Sequence, residues 1–360
     1  MDREELKTML GEFKNEVISS VKEYTKEEIE KLLIKSKMKN IEDNMSEGEK
    51  KDIGKFFKAI ITNDPIAAKA LSEGTDTAGG YLVPEEFKNT VLDIAGDFGY
   101  VRKYATTLPM KRDTLSLPKL TSKPSVTWVG EGASISTGEP TFGKFTLTAK
   151  KAGLIVPVTS ELLEDSAVEI TNILSKIFGE AIAEAEDVQG FVGDGTVFTG
   201  ILNETGTNVV TMPSTKTSFN DITTDDLLNL IGAVPSKIEK NSVFIMHRTI
   251  LTKIKTLKDG NGNYIFDPTS KTIWGYPVIT VDAMPALADT AVDKAFVIFG
   301  DINYLYLGDK RQISVKLADQ ASIGTTNLFE QDMLALKVTE RVALGVAMPN
   351  AFAILKTAAS

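Results

Sequence analysis

The 360-residue chain has no cysteine and one histidine, His247. The first absence excludes disulfides, thiolate metal sites and cysteine nucleophiles together. The second leaves a histidine metal centre short of ligands. The fold therefore holds by packing, or by covalent chemistry other than disulfides. No apolar run approaches the roughly 18 residues of a membrane span, and the first residues (Met1, Asp2, Arg3, Glu4) are charged rather than signal-like. Membrane insertion and secretion are not expected. Cations are outnumbered as well: 40 Lys and Arg stand against 49 Asp and Glu, a formal charge of −9. Wrapping nucleic acid needs clustered Lys and Arg to neutralise phosphates, so this balance argues against it except through a local basic face.

What is present is unevenly distributed. Residues 1–69 hold 14 Lys/Arg and 15 Asp/Glu, a charged head on a blander body, and residues 70–360 carry −8 of the net charge. In the head, Leu6, Leu10, Phe13, Val17, Val21 and Tyr24 recur with a 3.5-residue rhythm and make one narrow helical stripe. Thr25 followed by Glu28 fits a capping box, after which Ile29, Leu32 and Leu33 carry a second stripe. The stripe is too thin for a globular core. It fits a self-associating coiled coil, or a solvated helix packed on its own body. Residues 40–51 turn polar and read as a flexible joint.

The whole chain, 42% hydrophobic over 360 residues, is able to fill two cores besides the head. Strand-like alternation around Leu115 to Leu117, a polar Gly/Ser/Thr stretch from Gly130 to Pro140 and a return from Phe142 to about Val158 predict a long hairpin. A lone two-stranded ribbon is marginal in water, so the hairpin is expected to lie on something else, most simply a neighbouring subunit; a mobile flap is the plain alternative. Residues 161–190 predict a long helix, apolar around more than one face and hence central to packing. Helix (Asp225 to Lys237), strand (Val243 to Met246), helix (Thr249 to Leu257), turn (Asp259 to Gly262) and strand (Pro277 to Val281) then alternate as a compact α/β unit. Tyr304 to Leu307 and Gln312 to Leu317 read as strands, and Met333 to Val346 as a long strand rejoining the 161–190 helix.

Candidate chemistry is thin. His247 ends an apolar strand, and general-base work needs a positioned partner that the sequence does not supply. Gly193, Asp194, Gly195 and Thr196 match neither a dinucleotide fingerprint nor a P-loop, so a tight turn after a helix accounts for them. Asp225 and Asp226, behind Thr223 and Thr224, fit helix capping. No metal or cofactor site is expected.

Several motifs in register carry a resemblance. Gly193-Asp194-Gly195-Thr196 leads to Gly200-Ile201-Leu202-Asn203; then come Leu257-Lys258-Asp259, Gly262-Asn263-Tyr264-Ile265-Phe266, Ile273-Trp274-Gly275-Tyr276-Pro277-Val278 and Glu340-Arg341-Val342-Ala343-Leu344. In order and spacing, over about residues 70–360, the chain resembles tailed-bacteriophage major capsid proteins of the Hong Kong 97 type. The resemblance implies an α+β fold with a peripheral domain built on a spine helix and long strands, an axial α/β domain, an extended loop and an N-terminal arm, preceded by a helical coiled-coil head. Mapped onto this chain it implies a scaffolding-like head at 1–69, the arm and start of the peripheral domain at 70–107, and the extended-loop hairpin at 108–158. The peripheral domain with its spine helix follows at 159–206, the axial domain at 207–328 and peripheral return strands at 329–360.

The implied function is structural and non-enzymatic: pentamers and hexamers closing an icosahedral head around double-stranded DNA, held without sequence-specific binding. The implied partners are further copies of the chain, a maturation protease and a portal protein, and the implied location is the virion, assembled in the host cytoplasm. The protease is expected to remove the head near Lys69 and Ala70. Some members weld subunits through a loop Lys and a neighbour's Asn with a catalytic Glu. Lys144 matches the Lys, but Asp332 stands for the Asn and Thr339 for the Glu, with Glu340 displaced onto the other face of a strand. An ionised carboxylate is a poor electrophile for an amine, so no cross-link is expected. A cellular nanocompartment shell is the alternative with the same fold, against which the coiled-coil head argues. A soluble α/β enzyme using His247 is the remote one.

Overall fold

The computed structural model describes residues 75–76, 80–82, 85–122, 126, 128, 139–267, 270–318, 322–323 and 326–359. The head at 1–69 and the expected cleavage point at Lys69 and Ala70 lie outside the described residues. In chain order come β1 (Thr75–Asp76), β2 (Gly80–Leu82), α1 (Glu85–Phe98), α2 (Tyr100–Tyr104) and β3 (Thr106–Pro109). Strands β4 (Thr114–Ser122) and β5 (Thr141–Thr148) form a hairpin, and β6 (Lys150–Thr159) runs into the long helix α3 (Ser160–Asp187). Then follow β7 (Asn208–Thr211), α4 (Thr224–Gly232), α5 (Ser236–Glu239), β8 (Val243–Met246), α6 (Arg248–Lys255), β9 (Thr272–Ile273), β10 (Tyr276–Thr280) and β11 (Ala295–Gly300). The last are β12 (Leu305–Ala318), β13 (Ser322–Ile323), β14 (Thr326–Asn327), β15 (Met333–Val346) and β16 (Phe352–Lys356).

One sheet has the order β1-β2-β12-β15-β6, with β3 added in parallel to β12. Leu334, Leu336 and Val338 alternate along β15 and so share one face, as the two-residue period of a strand requires. Two helices cover that face. α1 contributes Phe87, Val91 and Ala95, and α3 contributes Ile170, Leu174, Phe178 and Ile182, each set four residues apart and therefore on one side of its helix. The helices approach closely where α3 has Gly179: a Cβ there would come within 2.6 Å of Ile94 Cγ2. The broadly apolar α3 proves one-sided among its described side chains, since Ile173 is 56% exposed. Its apolar residues outnumber the places its neighbours offer.

The second sheet has the order β7-β16-β11-β8-β10-β9. Its central strands read as uninterrupted apolar runs, Phe244 to Met246 and Phe296 to Phe299, because both faces are buried. Helices α4 and α6 supply Leu227, Leu230, Ile250 and Ile254 to the same core.

The topology departs from the expected boundaries in five respects. β16 lies between β7 and β11, so the C-terminal strand belongs to the second sheet and residues 329–360 are divided between the sheets. β12, expected inside the axial unit, runs in the first sheet along β15. The hairpin ladder spans only Thr114↔Thr148 to Ser122↔Thr141, whereas β3 and β6 on either side of it pair with β12 and β15. The polar residues Asp309 to Gln312 interrupt the apolar pattern of what is one continuous strand, β12, and mark bulges in it instead of a break. Pro235 similarly divides the expected 225–237 helix into α4 and α5, since the residue before proline is driven out of helical conformation.

Candidate functional site

The β4–β5 hairpin leaves the body with most of its surface unpartnered. Trp128 is 95% and Phe142 70% exposed, and Val126 and Leu120 are exposed with them. Covering one such side chain is worth about 2–3 kcal/mol, and a single copy of the chain forgoes it. The base of the hairpin is tied down firmly. The Ala149 amide donates to Asp113 O at 2.8 Å, and the Asp113 carboxylate accepts from Lys310 of β12 and, at 3.1 Å, from Arg341 Nη1 of β15. The Lys310 hydrogen bond holds the Asp113 carboxyl below the usual range. Met110, Leu147 and Ala343 close a small apolar cluster beneath it, and Phe145 meets Tyr306 edge-on at 6.0 Å. Beside that base lies an open groove of about 770 Å³ lined by Leu117, Leu120, Phe145, Tyr304, Tyr306 and Met348 among others.

A second unusual feature is buried. Glu340 continues the inward series Leu334, Leu336, Val338 on β15 and is only 2% exposed. Arg102 of α2 bridges it to α3: Nε and Nη2 donate to the two Glu186 oxygens at 2.6 and 2.7 Å, and Nη2 also donates to Glu340 Oε2 at 3.1 Å. The next residue, Asp187, accepts from the Tyr100 and Val101 amides at 3.0 and 2.8 Å and so caps α2. Burial raises the carboxyls of Glu186 and Asp187, and it pushes Glu340 up to about 8, helped by the negative charge of Glu186.

The residues singled out in the sequence separate clearly. His247 caps α6, its Nδ1 accepting from the Thr249 amide at 3.2 Å and lying 2.8 Å from the Thr249 hydroxyl, which itself accepts from the Leu287 amide; its other nitrogen is 3.9 Å from Asp282. Asp194 accepts from the Thr196 amide and hydroxyl, both at 2.9 Å, so a carboxylate already occupies the turn that a phosphate would need. Gly193 and Gly200 are hydrogen-bonded across this turn, where a Cβ on Gly193 would sit 2.5 Å from the Phe198 carbonyl oxygen. Asp226 accepts from the Thr223 amide at 2.9 Å in a capping box and also from Lys216 at 2.8 Å. Lys144 is exposed on β5 opposite Pro118. Asp332 is exposed at the entry to β15 with φ 49°, its Oδ1 accepting from Ser160 Oγ at 3.1 Å. Thr339 is half-buried against Gly153, on the opposite face from Glu340. Within one chain the structure shows no contact among Lys144, Asp332 and Thr339. Among the described residues no group of three or more His, Cys, Asp or Glu could hold a metal ion, and no helix is long and apolar enough to cross a membrane.

Reading by sequence alone missed Arg102, Glu186 and Asp113. Two acids closing an apolar helix, Glu186 and Asp187, oppose the helix dipole and were a legible sign that something cationic or amide-rich waits at that end.

An α+β subunit whose charge chemistry is internal and whose apolar hairpin lies uncovered is a protein built to be completed by its neighbours. The chain belongs to the phage capsid family, whose pattern matches residues 79–357. It is 27% identical over 283 residues to the major capsid protein of Staphylococcus phage 80alpha, covering 75% of this chain and 83% of that one. It is 25% identical over 320 residues to the major capsid protein of Klebsiella oxytoca phage phiKO2, covering 85% and 74%. Its fold is similar to the capsid of an empty GTA particle, with a TM-score of 0.63 at 20% identity over 72% of this chain and 90% of that one. A second similar fold is from Mycobacterium phage Adephagia, with a TM-score of 0.57 at 21% identity over 73% and 91%.

Proposed function

We propose that this chain is a major capsid subunit that assembles into pentamers and hexamers of an icosahedral phage head around double-stranded DNA. The observation that carries the reading is the uncovered hairpin: Trp128, Val126 and Phe142 are apolar, exposed and held on a base anchored by Asp113. In a shell each hairpin lies on a neighbouring subunit, and modest contacts suffice because closure adds many of them together. The charged head acts as an internal scaffold, its stripe pairing helix with helix during assembly. A phage protease then removes it near Lys69 and Ala70. The acidic body, at −8 for residues 70–360, leaves packaged DNA mobile against the wall instead of binding it. The portal occupies one vertex. Lys144, Asp332 and Thr339 form no isopeptide bond.

Electron microscopy of the full chain expressed alone tests this reading. Closed shells of one size are the expected result. A soluble monomer at every concentration overturns it.

A further inference from the structure

The ladder between β12 and β15 is bent at one place. Lys310 has no ladder partner between Asp309↔Val342 and Arg311↔Arg341, and Gln312 and Ile313 both stand against Glu340 before pairing resumes at Ser314↔Thr339. β12 thus carries two extra residues within six positions, and bulges of this kind bend and twist a strand. The second bulge faces Glu340. The bend, the C-terminal end of α3 and the short helix α2 therefore meet at one buried point, joined by Arg102.

The charge there does not balance. Glu186 is 3% and Glu340 2% exposed, and the single guanidinium of Arg102 faces both. The charged groups that reach Glu340 are Arg102 from α2, Glu186 from α3 and Asp309 from β12. Asp187 adds a further negative charge beside Glu186 and is spent on the α2 amides. On β6 the residue opposite Glu340 is Ala152, which brings no charge, and Arg341 and Lys310 are turned to Asp113 at the hairpin base. Glu340 Oε1 is buried without a hydrogen-bond partner, yet Glu186 lies within hydrogen-bonding reach of the Glu340 carboxyl. Two ionised carboxylates cannot bond to each other. One proton on Oε1 converts the orphaned acceptor into a donor and brings the cluster of Arg102, Glu186 and Glu340 to neutrality.

We propose that Glu186 and Glu340 share one proton beside Arg102, and that this proton is the lock that holds the bent β12–β15 ladder to helices α2 and α3. The sign follows from which state holds the proton more tightly. The folded state keeps it up to about pH 8, whereas an opened state releases it near the ordinary 4.5 of a glutamate. The stability it contributes is complete below the lower value and is lost as pH rises through the upper one. In between, each pH unit favours opening by about tenfold per proton.

Hydrogen exchange of the full chain, corrected for the intrinsic pH dependence of exchange, reads this directly. Protection of amides in α2 and residues 305–318 is expected to fall about tenfold per pH unit between roughly pH 5.5 and 7.5 and to level off above pH 8. Glu340→Gln, whose amide donates where the proton would and whose oxygen still accepts from Arg102, is expected to keep protection flat across the same range. Should that variant fold poorly, the buried acid's infrared carbonyl band in the wild type stands in: it is expected at pH 6.5 and lost by pH 9.5. Protection independent of pH, an unchanged slope in Glu340→Gln or the absence of that band overturns the proposal.

Discussion

Asp332 has the wrong chemistry for amide formation on three counts. As a carboxylate it offers no leaving group, its Oδ1 already accepts from Ser160 Oγ at 3.1 Å, and the nearest acid along β15, Glu340, faces the interior instead of sharing a face with Thr339. Lys144 is exposed and free to approach a neighbour, but approach alone forms no bond. Boiled, reduced particles are therefore expected to run as a single monomer band, identical for the wild type and Lys144→Ala; a ladder that the variant abolishes would show a weld. Glu340 was half legible in the sequence. Its place in the alternation Leu334, Leu336, Val338, Val342 marked it as a charge at a core position, which demands a partner. The partner was not legible, because Arg102 lies 238 positions away and nothing local to Val101 or Lys103 points to it.

Elements were legible wherever one local rule dominated. The long strand Met333–Val346 and the α4 capping box at Thr223 and Asp226 follow from alternation and from capping chemistry that act over a few residues. What failed was decided by distant partners. β12 looked like two strands because its bulge residues are polar, and only pairing with β15 makes it one; β16 could be given to the second sheet only by knowing that β7 and β11 leave a gap between them. The hairpin was legible for the opposite reason: among the described residues its strands β4 and β5 ladder only with each other, so its strand pattern is local. This gives Trp128 a defined role. Trp128→Ser is expected to leave the folded body unchanged by circular dichroism, since the side chain is 95% exposed. It is also expected to raise the concentration needed for shell assembly by roughly thirty- to a hundred-and-fiftyfold, from about 2–3 kcal/mol lost at each contact. Light scattering against concentration measures this, and an unchanged assembly threshold would remove Trp128 from the interface.

At the scale of the molecule, head and body obey different rules. The head's 14 basic and 15 acidic residues nearly cancel, which suits helix-to-helix pairing between copies, whereas the body keeps a net −8. Under the proposed function, a permanent part of a DNA-filled wall would gain little from a thin apolar stripe of the kind the head's sequence carries. On the same reading a temporary head would gain a great deal: heads that paired would space the bodies before hairpin contacts were complete, and their removal would leave those contacts to hold the shell. Cutting near Lys69 also changes the net charge by only one, so the electrostatics of the wall toward DNA survive the cut. Intact mass measurement on subunits from purified virions is expected to find a chain beginning at or close to Ala70. Subunits that begin at Met1 in infectious particles would make the head a permanent part of the shell, and its balanced charges would then need an explanation other than assembly.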